Sequence, residues 1–463
     1  MAKVIFSFDT EDYINPEADD YTKRICEVFD ANGVTASFMM VGERARVLVE
    51  RGRVDVIAAL GRHEIGYHSY FHSVHPNVAE YLDGCGWYDG VGEFLSREQE
   101  GVSLVRQIFN RECLWAAVPA GASWAPQMIC GYERLGIPIQ SDAAITAPRN
   151  RPTHYIGQLH LKYNLWLDHL LLADSWDPIG AQFDEHLEAG AQLIVAIDHP
   201  TILMHEQFPD SLNFRHGRNP PPSEWVCCTQ RPVARQEMAL AHLERTIRHV
   251  LEHPDLEPCT YEQIAGSFDL APGGSVGPQA LGAVAAHVSE GALCSIETGG
   301  NSFSAADQFG LLNHAAAHGG DAELPVLTPL RRLLGPINDV CVEDGRAFEA
   351  PSGQVRRAAR HVEHDLRGHM PATIQFEGRR VGPATFMRGL ARIVGGAAEG
   401  RLPASVPFEP APPLPDEAQM EGLRDLTWKD RWEIFPPDFA GDNLKRHALL
   451  QSWTIRPGVE KRP

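Results

Sequence analysis

Residues 63–72 read HEIGYHSYFH and place His68 and His72 four positions apart, behind an apolar run and a glycine. On a helical turn, side chains four positions apart share one face, so the two imidazoles can point at a single ion. Zinc and related metals favour such nitrogen ligands, and a catalytic site usually adds a carboxylate and a water. The pair therefore predicts a metal site that takes an acidic residue from elsewhere in the chain.

The amino-terminal residues 4–12, VIFSFDTED, supply candidate acids, because a short buried strand runs into Asp9, Glu11 and Asp12. Three carboxylates within four positions repel one another unless a cation lies between them, and oxygen ligands suit a divalent cation. On an extended strand, residues two apart share a face, which favours Glu11 beside Asp9. A turn after Thr10 would bring Asp12 to the metal instead. Both acids remain candidate ligands.

Composition limits the classes of partner and compartment. The length of 463 residues predicts two or three domains. A formal net charge of −20 disfavours nucleic acid and anionic membrane surfaces as partners, because both would be repelled. The nine cysteines are scattered without a CxxC pair, so reduced thiols and a cytoplasmic location are expected. The sequence has no apolar run of membrane-spanning length, and Asp9 interrupts any signal-peptide core, which points the same way.

Four blocks of sequence, in order, resemble a known family. They are SFDTED at 7–12, TASFMMVG at 35–42, HEIGYHSYFH at 63–72 and LIVAIDHP at 193–200. Their letters, order and spacing are similar to those of the polysaccharide deacetylases, also called the NodB-homology family or carbohydrate esterase family 4, over roughly residues 1–270. The resemblance implies an α/β fold, a NodB-type distorted (β/α) barrel. Short apolar strands alternate with amphipathic helices in this region, as such a fold requires.

The resemblance also implies catalytic roles. Asp9 matches the family's first aspartate, which takes a proton from the attacking water, and His199 matches the last-motif histidine, which protonates the departing amine. The family places an aspartate and a tryptophan near residues 165–177, where the aspartate orients that histidine. Asp174 is the predicted counterpart, with His169 and Asp177 as rivals.

The predicted metal ligands are His68 and His72 together with Glu11 or Asp12, and Zn²⁺ is the expected metal. The family's second aspartate falls on Thr10 in this chain. The acidic ligand must therefore differ from the usual one.

A second departure concerns the loop at Gly121. The family usually has an arginine a few residues before this glycine, where it orients the catalytic aspartate. This chain has Val118, Pro119 and Ala120 there instead. Either another group holds Asp9, or the substrate and rate differ from those of the usual members.

The character of the sequence changes after residues 271–278, APGGSVGP, which are typical of a linker. A weak internal repeat follows, which predicts a two-fold repeated, mostly helical module over 271–400. It pairs AAHV at 285–288 and GGNSFSAA at 299–306 with ARHV at 359–362 and EGRRVGPA at 377–384. The repeat resembles pseudomurein-binding-type modules, and a helical packing or dimerisation domain is the alternative. Residues 401–463 are rich in proline and aromatics, which predicts a tail that docks on the body.

The resemblance implies a metal-dependent hydrolase that removes an N-acetyl or related acyl group from an amino sugar or glycoconjugate. Two alternatives stay open. One is the same fold acting on another small amide or a cyclic ureide, and the other is a non-catalytic carbohydrate-binding or scaffold protein. The expected partner is a carbohydrate or small-molecule amide substrate, with neither nucleic acid nor membrane, and homo-oligomers could form through the repeat module.

Overall fold

The computed structural model describes residues 1–142, 150–270, 274–320, 324–330, 332–343, 345–428 and 432–461. The first three residues of the predicted linker, 271–273, lie outside the described residues. The chain divides into two units. The first comprises Met1–Pro152, Gln158–Phe268 and Asp425–Lys445, and the second comprises Thr153–Gly157, Asp269–Arg424 and Arg446–Pro463.

Ten strands precede residue 260, and all but one of them belong to the first unit. They are β1 (Ala2–Thr10), β2 (Ser37–Met40), β3 (Glu64–Tyr67), β4 (Ala116–Ala117), β5 (Ile139–Asp142), β6 (Thr153–Tyr155, in the second unit), β7 (Gln158–Lys162), β8 (Leu165–Trp166), β9 (Leu193–Asp198) and β10 (Leu256–Pro258). Within the first unit the strand order is β7-β5-β4-β3-β2-β1-β9-β8, and β10 also pairs with β1. The ladders between these strands are parallel.

Strand β1 lies at the centre of this sheet. It pairs with β2 through Phe8 and Phe38 and with β9 through Phe6 and Ala196. A helix covers it, since the ring of Phe29 lies 5.2 Å from Phe6 and 5.5 Å from Phe8. A parallel strand that is buried on both faces requires a continuous apolar run, which β1 has. The predicted α/β class is confirmed, in the form of a curled parallel sheet with intervening helices.

The helices of the first unit connect its strands, and the last helix follows β10. They are α1 (Glu17–Asn32), α2 (Gly42–Glu50), α3 (Val54–Leu60), α4 (Val78–Asp83), α5 (Trp87–Phe109), α6 (Pro126–Arg134), α7 (Asp168–Leu171), α8 (Asp177–Glu188), α9 (Pro200–Met204), α10 (Pro209–Asn213), α11 (Val233–Glu252) and α12 (Tyr261–Ser267). Among the described residues, no helix combines the length and the apolar character that crossing a membrane would take.

The second unit contains two similar successions of elements. Each has a helix, a two-stranded hairpin and a second helix. They are α13 (Pro278–Ser289), β12 (Ile296–Thr298), β13 (Asn301–Phe303) and α14 (Ala305–His318), then α15 (Ser352–Asp365), β16 (Ile374–Phe376), β17 (Arg379–Val381) and α16 (Pro383–Ala398). The remaining elements are β11 (Ser275–Val276), β14 (Thr328–Pro329), β15 (Phe348–Pro351), β18 (Ser405–Phe408), α17 (Glu421–Arg424), α18 (Asp442–Gln451) and β19 (Arg456–Pro457).

Aromatic side chains from both successions and from the carboxyl-terminal residues fill the core of the second unit. Phe303, Phe309, Phe386, Phe408 and Trp453 are all buried in one hydrophobic cluster. Residues 425–445 belong to the first unit instead. The carboxyl-terminal residues are therefore divided between the two cores.

We expect Gly66→Ala to lower the free energy of unfolding by about 1–3 kcal/mol, because the site has no room for a methyl group. A Cβ on Gly66 would lie 2.3 Å from the sulfur of Met39 and 2.9 Å from the backbone oxygen of Ala116. Urea denaturation measures the change. Gly92→Ala is the control, since no atom lies within 4 Å of its Cβ and alanine favours the helix by about 1 kcal/mol. Equal effects of the two substitutions would contradict the close packing of β3.

Candidate metal centre

The candidate residues lie where parallel strands end. Asp9 is close to the end of β1, His68 follows β3, Tyr163 follows β7, and His199 follows β9. The carboxyl ends of parallel strands meet at one edge of a sheet, where α/β proteins commonly bind ligands. These side chains line one cavity of about 480 Å³.

Two imidazoles and one carboxylate form the centre of this cavity. The Oε2 atom of Glu11 lies 3.4 Å from Nε2 of His68 and 3.4 Å from Nε2 of His72. All three side chains are buried, and their ligand atoms lie within 4.8 Å of one another. Two imidazole nitrogens with a carboxylate form a donor set that suits zinc.

The carboxylate of Glu11 receives no hydrogen bond. Both of its carboxylate oxygens are buried without a hydrogen-bond partner. Burial raises the pKa of Glu11, but His199, His68 and His72 outweigh burial and hold that pKa below its ordinary value. A buried carboxylate that stays ionised without hydrogen bonds needs a nearby positive charge. The residues present therefore fit a divalent metal ion.

The far nitrogen of each imidazole is held in place. Nδ1 of His68 donates to the carbonyl of Val118 at 3.1 Å, which directs Nε2 towards Glu11. Nδ1 of His72 lies 2.9 Å from the hydroxyl of Ser73 and 3.1 Å from the carboxylate of Asp210. Such outer contacts orient metal-binding histidines. No sequence pattern singles out Asp210.

The backbone between the two histidines is a loop, whereas the spacing predicted a helical turn. Ser69 and His72 have φ values of 63° and 55°, in the left-handed region. The hydroxyl of Ser69 accepts a hydrogen bond from the backbone nitrogen of His72 at 3.0 Å. This tight loop, and not a helix face, brings the two rings to 5.0 Å between centroids.

Of the two acids that the sequence left open, Glu11 faces the imidazoles and Asp12 does not. Asp12 Oδ1 accepts from the backbone nitrogen of Asn15 at 2.9 Å, and Oδ2 accepts from the hydroxyl of Thr201 at 2.7 Å. Its Oδ2 also lies 3.6 Å from Nδ1 of His205. Asp12 therefore ties the loop after β1 to α9.

The partner of His199 is Asp168, and not Asp174 as the sequence predicted. The Oδ1 atom of Asp168 lies 3.0 Å from Nδ1 of His199 and accepts from its backbone nitrogen at 2.9 Å. The carboxylate of Asp174 is 89% exposed and pairs with Arg235 at 2.7 Å. Asp177, one of the two rivals, is also exposed. Burial lowers the pKa of His199, but Asp168 and Glu11 outweigh burial and raise it well above its ordinary value.

The register of two strands explains why Asp168 holds this position. Strand β8 runs parallel to β9, with Trp166 opposite Ile197. The residue two positions beyond Trp166 therefore meets the residue two positions beyond Ile197. This pairing was the signal that could have identified Asp168, but it is visible only once β8 is known to be a strand. His169 lines the cavity beside it.

A tyrosine contacts Asp9, whereas residues 118–120 offer it no arginine. The hydroxyl of Tyr163 donates to Oδ1 of Asp9 at 3.2 Å. Oδ2 of Asp9 lies 3.7 Å from Nε2 of His199 and 3.8 Å from Nε2 of His68. Burial raises the pKa of Asp9 above its ordinary value, against the charges of His68 and His199. Burial also raises the pKa of Tyr163 well above its ordinary value, so the phenol keeps its proton.

Aromatic side chains form the other wall of the cavity. Trp166 lies nearly parallel to the ring of His199, with 6.1 Å between centroids, and is 50% exposed. Phe208 contacts His199 at 5.7 Å and Trp432 at 5.1 Å, both edge to face. The cavity therefore has a charged side and an apolar, aromatic side.

No protein-family model matches the chain, and no curated protein matches it. Several solved structures are similar at low scores. An inferred polysaccharide deacetylase from Mycobacterium smegmatis is 15% identical, over 57% of this chain and 89% of its own, with a TM-score of 0.38. The 4-alpha-glucanotransferase of Thermococcus litoralis is 10% identical over 58% and 40%, with a TM-score of 0.39. A family 4 carbohydrate esterase from Streptomyces lividans is 11% identical over 56% and 91%, with a TM-score of 0.31.

Polysaccharide deacetylases and family 4 carbohydrate esterases are thus among the solved structures similar to this chain. At these identities and scores the likeness says nothing about activity or substrate. What the site can do follows from its own geometry.

Asp168→Asn is expected to lower the pKa of His199, because removing the carboxylate removes the partner that most favours the imidazolium form. With Asp168 in place, that form is favoured. In the variant the proton leaves at a lower pH, which ring-carbon NMR of the metal-free protein measures. Asp174→Asn is the matched control and leaves the pKa unchanged. An unaltered pKa in Asp168→Asn would contradict the contact.

Proposed function

We propose that the first unit is a metal-dependent hydrolase that removes an N-acetyl or related acyl group from an amino sugar or glycoconjugate. One observation carries the proposal. The buried carboxylate of Glu11 has no hydrogen-bond partner and lies 3.4 Å from Nε2 of both His68 and His72. A second carboxylate, Asp9, lies beside this set, and a histidine, His199, lies 3.7 Å from Asp9. Together they supply a metal site, a proton acceptor and a proton donor.

Glu11, His68 and His72 would hold the ion, and Zn²⁺ is the metal that two imidazoles and a carboxylate favour. When bound, such a metal supplies a positive charge that polarises a carbonyl group and lowers the pKa of water. The chain's own residues then have two tasks, which are to move protons and to hold the substrate.

Asp9 is suited to accept a proton from the attacking water. Tyr163 donates to Oδ1 and leaves Oδ2 directed at the centre of the cavity. As the water oxygen bonds to the carbonyl carbon, its proton passes to Oδ2 of Asp9. A positioned carboxylate contributes about 10²–10⁴-fold to such steps.

His199 is suited to protonate the leaving nitrogen. Asp168 holds Nδ1, so the proton on Nε2 faces the cavity. Asp168 raises the pKa of His199 against the effect of burial, which favours the acid form of the imidazole. When the carbon–nitrogen bond breaks, this proton goes to the amine. The products are a carboxylic acid and a free amine.

The aromatic wall supports a sugar as the carrier of the amide. Trp166 and Phe208 present ring surfaces next to His199, and Trp432 extends them. The apolar face of a pyranose ring packs well on such rings, while polar groups at the opposite wall fix its orientation. All nine cysteines are free thiols, which supports a reducing compartment such as the cytoplasm.

The direct test is acetate release from a panel of N-acetylated amino sugars. We expect a chelator to abolish release and added Zn²⁺ to restore it. Glu11→Gln should lower kcat/KM by about 10²-fold or more, because it removes a metal ligand and the charge that attracts the ion. Asp174→Asn, an exposed carboxylate outside the cavity, is the control. Full activity in Glu11→Gln would contradict the proposal, and sugar binding without turnover in the wild-type protein would favour a scaffold.

Tyr163→Phe tests how the proton acceptor is held. The substitution removes the hydroxyl that donates to Asp9 but keeps the ring that packs on Trp166 at 5.9 Å. We expect kcat to fall about tenfold with KM nearly unchanged, because a loss of about 1–1.5 kcal/mol falls on the reacting step. A fall in KM with constant kcat, or no change in either, would contradict the role of Tyr163.

A further inference from the structure

A second cluster of metal-ligand side chains lies within the second unit. His314 and His318 are on the last turns of α14, and Glu363 is on α15. Nδ1 of His314 lies 2.9 Å from Oε1 of Glu363, and the two imidazole rings are 4.5 Å apart between centroids. One ligand atom from each of the three residues lies within 4.8 Å of the other two.

We propose that His314, His318 and Glu363 form a second binding site for a divalent transition-metal ion. It is a different site from that of the proposed hydrolase and does not depend on it. Two imidazole nitrogens and one carboxylate oxygen suit Zn²⁺, and also Ni²⁺ and Cu²⁺. Three protein ligands leave further coordination positions for water.

The backbone of α14 places the imidazoles of His314 and His318 on the same side of the helix. Helix α14 continues without interruption to His318, so residues 314 and 318 share one face. This regular helix contrasts with the loop that carries the two histidines of the first unit. The spacing of four thus predicts the geometry correctly here.

Hydrogen bonds from a neighbouring amide orient the carboxylate of Glu363. The side-chain amide of Asn313 donates to Oε2 of Glu363 at 3.1 Å and to the backbone oxygen of Ala359 at 3.2 Å. Asn313 is fully buried, so these two bonds hold Oε1 of Glu363 towards His314. An outer contact that fixes a ligand in this way is typical of metal sites.

Electrostatics and access favour a cation. The carboxyl end of a helix carries partial negative charge, and His318 is the last residue of α14. Two arginines of α15 donate to backbone oxygens of α14, Arg356 to Ala316 at 3.2 Å and Arg360 to Ala317 at 3.0 Å. His318 is exposed, while the side chains of His314 and Glu363 are 17% and 9% exposed. An ion can therefore enter from solvent and meet ligands that are already ordered.

A bound ion would link α14 to α15, because each helix supplies at least one of its ligands. An ion that binds the folded unit and not the unfolded chain raises stability by RT ln(1 + [L]/Kd), where [L] is the free ion concentration. The site therefore ties the thermal stability of the second unit to the metal supply.

The test isolates the second site by removing the first. Full-length His68→Ala/His72→Ala protein, stripped with chelator, is titrated with Zn²⁺ by calorimetry. We expect one equivalent to bind. Adding His314→Ala and His318→Ala should weaken this binding by about tenfold or more. The matched control is His364→Ala, which changes an 82% exposed histidine on the same helix as Glu363. This substitution should leave Zn²⁺ binding unchanged.

A second measurement guards against misfolding. The His314→Ala/His318→Ala variant in the otherwise wild-type chain should keep its circular dichroism spectrum and still bind one equivalent of Zn²⁺, at the first site. It should lose the part of the Zn²⁺-dependent rise in melting temperature that belongs to the second site, which is the part that His68→Ala/His72→Ala retains. The proposal is overturned if His68→Ala/His72→Ala binds no Zn²⁺, or if His364→Ala weakens binding as much as the two ligand substitutions do.

Discussion

The buried carboxylate of Glu11, which has no hydrogen-bond partner, is the constraint on which the candidate site depends. Its two oxygens are buried without hydrogen bonds, and the desolvation of such an ion costs several kcal/mol. The nearest groups that can compensate it are the imidazoles of His68 and His72, whose Nε2 atoms both point at it. Their far nitrogens are bound to Val118, Ser73 and Asp210, so these rings cannot turn away. The side chains of Glu11, His68 and His72 are therefore already oriented to bind a cation between them.

Parallel pairing converts distant sequence positions into one site. Asp9, His68, Tyr163 and His199 are spread over the first 200 residues, yet each lies close to the carboxyl end of a strand. Because all these strands run in the same direction, a side chain placed just beyond one strand end lies near those beyond its neighbours. The sheet thus supplies the position, and the short loops supply the direction in which each side chain points.

The sequence predicts those parts of the site that follow from a strand or from a short motif. Asp9, Glu11 and His199 sit at the ends of apolar runs that read as buried strands. It could not predict Asp168, because that choice depends on the register of β8 against β9. Nor could it predict Tyr163, since the chain lacks the expected arginine and only the fold brings a residue 154 positions away to Asp9. The left-handed backbone conformation of His72 could not be predicted either, because no residue type in this stretch indicates it.

The two histidine clusters differ in burial, and this difference affects what a bound ion could do at each of them. Both offer two imidazoles and a carboxylate, but Glu11, His68 and His72 are all buried, whereas His318 is exposed. Buried charges interact strongly, and Asp9 and His199, which we propose as proton acceptor and donor, lie within 4 Å of each other. At a surface the same donors are screened, and an ion there mainly joins the two helices that supply its ligands. The surroundings of a donor set, more than its identity, therefore decide whether an ion can serve a reaction.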